Sequence, residues 1–517
     1  MDSRAAAARA QKVADTLADA AIAHRSGDAA KAKRLYRKVL KAQPGHFKAL
    51  RLSGALAQET GEVDEAIRLL SAAVRHAPQN ETGVLEDLGL LHLQTGEQDK
   101  AEDLLRRAVA IDPTSLVALS RLASTLLTCG RASEAIEVLG RAREIDANDP
   151  RIAYAHAHAL LESGDFDKTI EVADASLALR AEDPQTLLVK GVALYQLERH
   201  EEAEQVLQQV VSLEPSEINA WLHLGQARLA RADNAGAIDA FSEATKVAPD
   251  LANVSSQLAN AHNAAERPET AVEICDAFLE RHPTAAAVLL VKTLALRDMG
   301  HAEQADELLG QDTLVDARPI DTPVRFDDVA AFNQALERVI REHPSYGHVH
   351  TNRATQHGDQ TGSLMIEPSP EMRAFARVVD GRIRTVLREL RAGGQQEHPW
   401  VKNAPNNWIV NAWGVVLGDQ GHQTSHMHPE AWLSGVYYVA LPEEGIGTGY
   451  GQDGWIEFGS PTEQLVARVA PPTRRIEPEP GLLVTFPSYS FHRTIPFRGK
   501  GQRVSIAFDV FAAPEGR

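Results

Sequence analysis

The chain has 517 residues, 44% hydrophobic and 24% charged, with a net charge of −18 and two cysteines, Cys129 and Cys275. This composition fits a folded chain of several domains and excludes a disulfide-framed scaffold. Nearly all of the negative excess lies in residues 1–317, which makes a phosphate backbone, and hence nucleic acid, a poor partner. Residues 1–25 lack the apolar core of a signal peptide, and no apolar run is long enough to span a bilayer, so the sequence predicts a cytoplasmic protein without membrane contact.

The N-terminal part is periodic. Prolines recur at Pro44, Pro78, Pro113, Pro215, Pro249 and Pro283, spaced by 34 or 35 residues or a multiple of 34; Ala147 and Ala181 fill the skipped phases. A second series marks a tight turn at Gly27, Gly61, Gly96, Gly130, Gly164 and Gly300, with Glu198, Ala232 and Glu266 completing it. Five residues after each comes a small residue: Ala32, Ala66, Ala101, Ala135, Thr169, Ala203, Ala237, Ala271 and Ala305. Gly54, Gly89, Gly191 and Gly225 stand seven residues before four of the turns.

Each marker has a physical reason. Two helices that cross closely need small residues at the contact, a turn residue joins them, and proline punctuates the junction. One such hairpin cannot bury its apolar face alone, so neighbours must stack. This pattern resembles the tetratricopeptide repeat over roughly residues 10–310, giving eight or nine hairpins. The resemblance implies an all-α solenoid (residues 1–312) whose groove binds a peptide or protein. The plainer alternative is a scaffold that stiffens the chain or pairs it into a homodimer.

The period fails after Leu309. Residues 311–325, with two prolines and mixed polarity, read as a linker. Helical patterns follow at about 326–342 and 370–391, separated by a polar stretch holding His348, His350 and His357, which read as structural histidines. Residues 313–400 therefore read as a helical preamble to a second domain, 313–517.

From about residue 405 the pattern becomes that of strands: NWIVNAWGVVL, AWLSGVYYVAL, GWIEFGS, GLLVTFPS and QRVSIAFDVF, separated by turns bearing glycine or proline. Short strands with such turns predict a sandwich or jelly roll over 405–512, making the second domain α+β. His426 and His428 are two apart, so on a strand both rings would face the barrel interior. His492 follows 64 residues later, and Arg503 and Ser505 share a strand face beyond it. An arginine fork with a hydroxyl beside it suits a carboxylate. The pair His426 and His428 alone would be weak; joined to His492, Arg503, Ser505 and the strands it points to a metal site. Trp408, Trp413, Trp432 and Tyr437 read as core or pocket wall, and Arg474 and Arg475 as solvated.

At these residues the sequence resembles the double-stranded β-helix oxygenases that use Fe(II) and 2-oxoglutarate, with prolyl-hydroxylase-like features. Their facial triad is His-x-Asp/Glu with a distant histidine. The resemblance implies that His426, His428 and His492 are the metal-binding and catalytic set. It also implies that Arg503, Ser505 and Tyr438 hold the 2-oxoglutarate co-substrate. One departure stands out: His428 occupies the carboxylate position. Either three histidines hold iron, or His426 and His492 do so while His428 stands behind them; Glu430 and His422 are weaker ligand candidates. Imidazole also suits Zn, Cu and Ni.

The reading that follows is a 2-oxoglutarate- and Fe(II)-dependent dioxygenase hydroxylating a peptide or protein side chain captured by the repeats. The same chemistry on a small molecule, a three-histidine dioxygenase that does not use 2-oxoglutarate, and an inactive peptide-binding scaffold are the alternatives.

Overall fold

Eighteen helices fill Asp2–Leu309, and within each of the chain's two compact units consecutive helices pack in pairs. The computed structural model describes residues 2–347, 354–447, 449–462 and 464–513, with side chains from residue 8 onward. They fall into two compact units, Met1–Ala193 and Leu194–Arg517. The first holds helices of the N-terminal repeats around a core of leucine and alanine. The second takes in the later repeats and the whole C-terminal domain. No helix among the described residues is long and apolar enough to cross a membrane.

The periodic residues do what their chemistry requires. All nine turn positions have positive φ, from 74° to 84° at the six glycines and 59° to 60° at Glu198, Ala232 and Glu266. The nine small residues, Ala32 through Ala305 with Thr169 among them, are all 0% exposed. A side chain at Gly225 would meet the ring of Phe241 at 2.5 Å, which explains why the helix crossing there takes glycine.

The last repeat ends at Leu309, where Gly310 caps the helix in the left-handed conformation. Beyond it lie two antiparallel sheets. Their strands are β1 (Asp316–Pro319), β2 (Thr355–Gln360), β3 (Trp408–Gln423), β4 (Leu433–Ala440), β5 (Ile456–Phe458), β6 (Arg474–Ile476), β7 (Leu482–Pro487), β8 (His492–Thr494) and β9 (Arg503–Ala512). The larger sheet has the order β1-β7-β4-β9-β3-β2 and the smaller β6-β5-β8.

Strand alternation sets what each face of the large sheet touches. Tyr437 on β4 and Val504, Ile506, Phe508 and Val510 on β9 join the helices Val329–Arg341 and Pro370–Ala392 in one core. Tyr437 also donates to buried Asn333 at 2.5 Å. Val436 and Tyr438 point the other way, onto Ile456 and Phe458 of the small sheet. The large sheet is thus covered by helices on one face and by the small sheet on the other.

Two expectations need correction. The stretch 311–325 is not only a linker, because β1 within it pairs with β7 from Asp316↔Thr485 to Pro319↔Leu482. Nor is 313–400 purely helical, because β2 pairs with β3 across a bulge. Both are edge strands, and edge strands can be short and polar, so DARP and TQHGDQ carry no alternating apolar signal. His357 lies in β2 with φ 52°, exposed; His348 and His350 lie outside the described residues.

The three left-handed non-glycine turns yield a stability prediction. A side chain in that conformation costs roughly 1–2 kcal/mol, offset in part by the unfolded-chain entropy that glycine adds. The triple variant Glu198→Gly/Ala232→Gly/Glu266→Gly is expected to raise the thermal midpoint by about 2–5 °C. A midpoint that stays level or falls in calorimetry would refute this account of the turns.

Candidate metal centre

His492 begins β8, and the connection between β3 and β4 runs beside it. His426 exchanges backbone hydrogen bonds with His492, N to O at 3.1 Å in each direction, and so extends the edge of the small sheet. The His428 amide donates to the Ser488 carbonyl at 3.0 Å. The structure therefore brings the three rings together, with ligand atoms all within 4.8 Å of one another. The route differs from the sequence expectation. β3 ends at Gln423, so His426 and His428 are not consecutive inward residues of a regular strand. Two backbone attachments to the neighbouring β7–β8 segment set their direction instead.

Each ring has an oxygen acceptor at Nδ1. His426 Nδ1 meets the Thr424 carbonyl at 2.7 Å, His492 Nδ1 the Ser490 carbonyl at 3.0 Å, and His428 Nδ1 the Asp509 carboxylate at 2.9 Å. A proton on Nδ1 satisfies all three acceptors and leaves each Nε2 as a lone pair, the form in which imidazole binds a metal. Burial, followed by the neighbouring His428 ring, pushes His426 down to about 4. Burial and the two neighbouring rings hold His492 well below its ordinary range. Both rings are neutral near pH 7.

Asp509 is the residue that sequence reasoning missed. It is 8% exposed on β9, accepts from Ser434 Oγ at 2.6 Å through Oδ1, and faces His428 through Oδ2. Arg503, Ser505 and Asp509 are separated by even numbers on one strand, so they face the same way. Extending that parity along DVF would have flagged it. Its partner stands 81 residues earlier in the chain, which no local pattern encodes.

Arg503 is 2% exposed, and its Nη1 donates to Thr494 Oγ1 at 3.2 Å. Its Nε and the Tyr438 hydroxyl are buried with no hydrogen-bond partner among the described residues. The guanidinium lies 4.9 Å from the Tyr438 ring centre. Burial raises the Tyr438 phenol above its usual range, so it stays a protonated donor. Ser505 stands opposite Tyr438 in the β4–β9 register. A buried cation without a counter-charge costs several kcal/mol, and no carboxylate pairs with Arg503 among the described residues. Arg503 Nε and the Tyr438 hydroxyl thus fit an incoming carboxylate, the group 2-oxoglutarate would present. The pocket that Arg503 lines also reaches Thr494 and the three histidines.

Residues 411–509 match a family described as "Putative 2OG-Fe(II) oxygenase". Residues 23–83, 92–159 and 222–286 match tetratricopeptide repeat families, and 140–210 match a family described as "Anaphase-promoting complex, cyclosome, subunit 3". The chain joins tetratricopeptide repeats to a 2OG-Fe(II) oxygenase-type domain. Among curated relatives, the cellulose synthase 2 operon protein C of Komagataeibacter xylinus is 37% identical over 110 residues, 21% of this chain and 8% of that protein. A BBSome complex member of Bos taurus is 39% identical over 70 residues, 14% of this chain and 13% of its own length. This chain therefore spans only a small part of either relative. A solved tetratricopeptide repeat protein from Parabacteroides merdae aligns at 16% identity and a TM-score of 0.40, covering 48% of this chain and 98% of that one.

Within the oxygenase-type domain, the other sequence candidates fall elsewhere. His422 sits on β3 with Nδ1 against the Gln420 carbonyl at 2.9 Å, apart from the histidine cluster. Glu430 is exposed in the turn after His428 and lines the cleft outside the cluster. Trp413 faces His428 across 6.0 Å. Trp432 stacks on Trp400 at 4.8 Å, and each indole N–H donates to the other's carbonyl, pinning the chain that follows His428. Trp408 lies against Trp432 at 6.2 Å. Arg474 and Arg475 are not simply solvated: Arg474 bonds to the Gln311 carbonyl, and Arg475 pairs with buried Glu457 at 2.5 Å.

The His428–Asp509 pair makes a sharp prediction. Removing the acceptor that orients a ligand imidazole typically costs about 10–100-fold in metal affinity, which is the loss expected for Asp509→Asn. His428→Asp alone would set two carboxylates against each other, and like charges disfavour their joint ionisation. The double variant His428→Asp/Asp509→Asn should therefore bind Fe(II) more tightly than His428→Asp alone. Equal affinities of single and double variants in anaerobic titration would sink the coupling.

Proposed function

We propose that this chain is an Fe(II)- and 2-oxoglutarate-dependent dioxygenase that hydroxylates a peptide or protein side chain captured by its repeats. The repeat segment and the oxygenase segment divide at residues 312 and 313 in this reading. The observation that carries it is the common pocket of three converging imidazoles and a buried, partly unpaired Arg503. Bound together, Fe(II) and 2-oxoglutarate would supply oxidative decarboxylation of the co-substrate coupled to hydroxylation of a C–H bond.

The chain's own residues have separate tasks. His426, His428 and His492 would hold the metal through Nε2, each oriented by its Nδ1 acceptor. Arg503, Ser505 and Tyr438 would hold the distal carboxylate of the co-substrate. Phe458 and Phe486, packed at 6.2 and 4.6 Å from the His492 ring, exclude water from that side. Asp509 would return, one bond away from the ligand, the negative charge that His428 removes from the usual triad. The unpaired cysteines suit a reducing, cytoplasmic setting.

A three-histidine dioxygenase that takes no 2-oxoglutarate has no need for a buried carboxylate clamp, so Arg503 favours the first reading. The two are separated by substitution. His426→Ala and His492→Ala are each expected to abolish stoichiometric Fe(II) binding. Arg503→Ala should leave iron bound but weaken 2-oxoglutarate by roughly 30-fold or more, since breaking a buried charge pair costs about 2–5 kcal/mol. Full iron retention in both histidine variants, or an unchanged 2-oxoglutarate titration in Arg503→Ala, would overturn the assignment. Release of succinate in the presence of a candidate peptide tests turnover directly.

A further inference from the structure

The connection between β5 and β6 leaves the barrel and crosses two helices of the last repeats, Ala252–Ala264 and Ala286–Asp298, within the same compact unit. The contacts are made by side chains of the repeats to main-chain atoms of the crossing segment. Asn260 donates through Nδ2 to the Gln464 carbonyl at 3.1 Å and accepts through Oδ1 from the Val466 amide at 3.0 Å. Asn263 donates to the Val466 carbonyl at 3.1 Å. Asp298 accepts from the Val469 amide at 2.9 Å and, through its other oxygen, from Asn263 at 2.9 Å.

Asn260 and Asn263 are 1% and 0% exposed, so these amides are built into the repeat surface. The segment bends as it crosses, with the Leu465 amide donating to the Thr462 carbonyl at 3.0 Å, and one asparagine amide still grips its main chain at both the Gln464 carbonyl and the Val466 amide. The segment also contributes side chains. Leu465 packs against both the repeat core and the barrel core, and Arg468 donates to the Asn263 carbonyl at 2.6 Å.

This crossing segment separates two cavities. One, of about 620 Å³, is lined by Asn253, Ser256, Gln257 and Leu290 of the repeats and opens on His426 and Met427. The other, of about 600 Å³, runs along the repeats past Tyr195, Gln226, Asn234 and Gln257. Gln464 lines both.

We propose that the last two repeats form a clamp for the main chain of a polypeptide, and that Gln464–Val469 occupies it in cis as a displaceable strap between the repeat groove and the metal centre. The partner that fits is an unfolded peptide segment, gripped with little regard to its side chains at the asparagines and led towards His426. The strap is this chain's stand-in for that segment. The proposal rests on the reading of the site as an oxygenase acting on polypeptides, but its test needs no turnover, so the two can fail separately.

The test uses the full-length protein with residues 464–469 replaced by a glycine–serine linker of equal length. A fluorescent synthetic peptide of residues 461–470 is added, and binding is read by anisotropy. Binding is expected to the linker variant, and at least tenfold weaker binding to the parent and to the linker variant carrying Asn260→Ala/Asn263→Ala. The same peptide N-methylated at Val466 should also lose at least tenfold, because that amide is the one Asn260 accepts. In the parent background, Asn260→Ala/Asn263→Ala should speed tryptic cleavage after Arg468 at least tenfold. Absence of peptide binding to a linker variant that melts and loads Fe(II) like the parent, indifference of binding to the asparagines or to N-methylation, or unchanged cleavage at Arg468 would each overturn it.

Discussion

Each imidazole of the cluster has one nitrogen committed to an oxygen acceptor, and the behaviour of the site depends on that commitment. With Nδ1 bound to the carbonyls of Thr424 and Ser490 and to the carboxylate of Asp509, the three remaining nitrogens can only act as acceptors or ligands. Two of the acceptors are main-chain atoms within two residues of the ring they orient, so folding the connection also fixes the tautomer. The third is a carboxylate from a distant strand. It differs in kind because it adds charge: three neutral ligands around a divalent ion would leave the site more positive than a two-histidine, one-carboxylate arrangement, and Asp509 would offset part of that through the His428 ring.

The parity of the large sheet places everything else. On β9, one face gives Val504, Ile506, Phe508 and Val510 to the helical core, and the other gives Arg503, Ser505 and Asp509 to the interior. On β4 the adjacent tyrosines divide in the same way, Tyr437 towards Asn333 and Tyr438 towards Arg503. A one-residue slip in either strand would bury the apolar set against the pocket and turn the arginine into the helices. The hydrophobic cost of that slip, summed over four large side chains, far exceeds anything a single polar contact could recover. The core therefore holds the pocket in register.

Much of this was legible in the sequence where a residue's role depends on local spacing. The turn series predicted a tight turn even at Glu198, Ala232 and Glu266, where the backbone is left-handed, because a fixed phase says more than the residue type at any one repeat. The convergence of His426, His428 and His492 was legible from their strand context, although the path of the connection was not, since backbone bonds to Ser488 and His492 replace a regular strand there. Features made by long-range partners were hidden. β1 and β2 are polar edge strands whose identity lies in β7 and β3. The asparagines Asn260 and Asn263 carry no local signal, because their partners lie about 200 positions later in the chain.

The strength of that clamp decides whether the strap can move. Four hydrogen bonds to its main chain contribute about 0.5–1.5 kcal/mol each, whereas fixing the backbone of one residue costs about 1–2 kcal/mol. Six residues held by these bonds alone would not stay ordered. The balance is carried by the buried part of Leu465, by Arg468, which bonds the Asn263 carbonyl and pairs with Asp298, and by the covalent tethers at β5 and β6, which present the strap to the groove at an effective concentration in the millimolar range. A free polypeptide making the same main-chain bonds competes only if its own side chains find further contacts. The cavities on either side of Gln464 offer such contacts, to the apolar wall at Leu290 and Met427 on one side and to the amides of Gln226 and Asn234 on the other. A strap held this weakly sets a threshold: segments that fill the flanking cavities displace it and reach His426, and segments that only match its backbone do not.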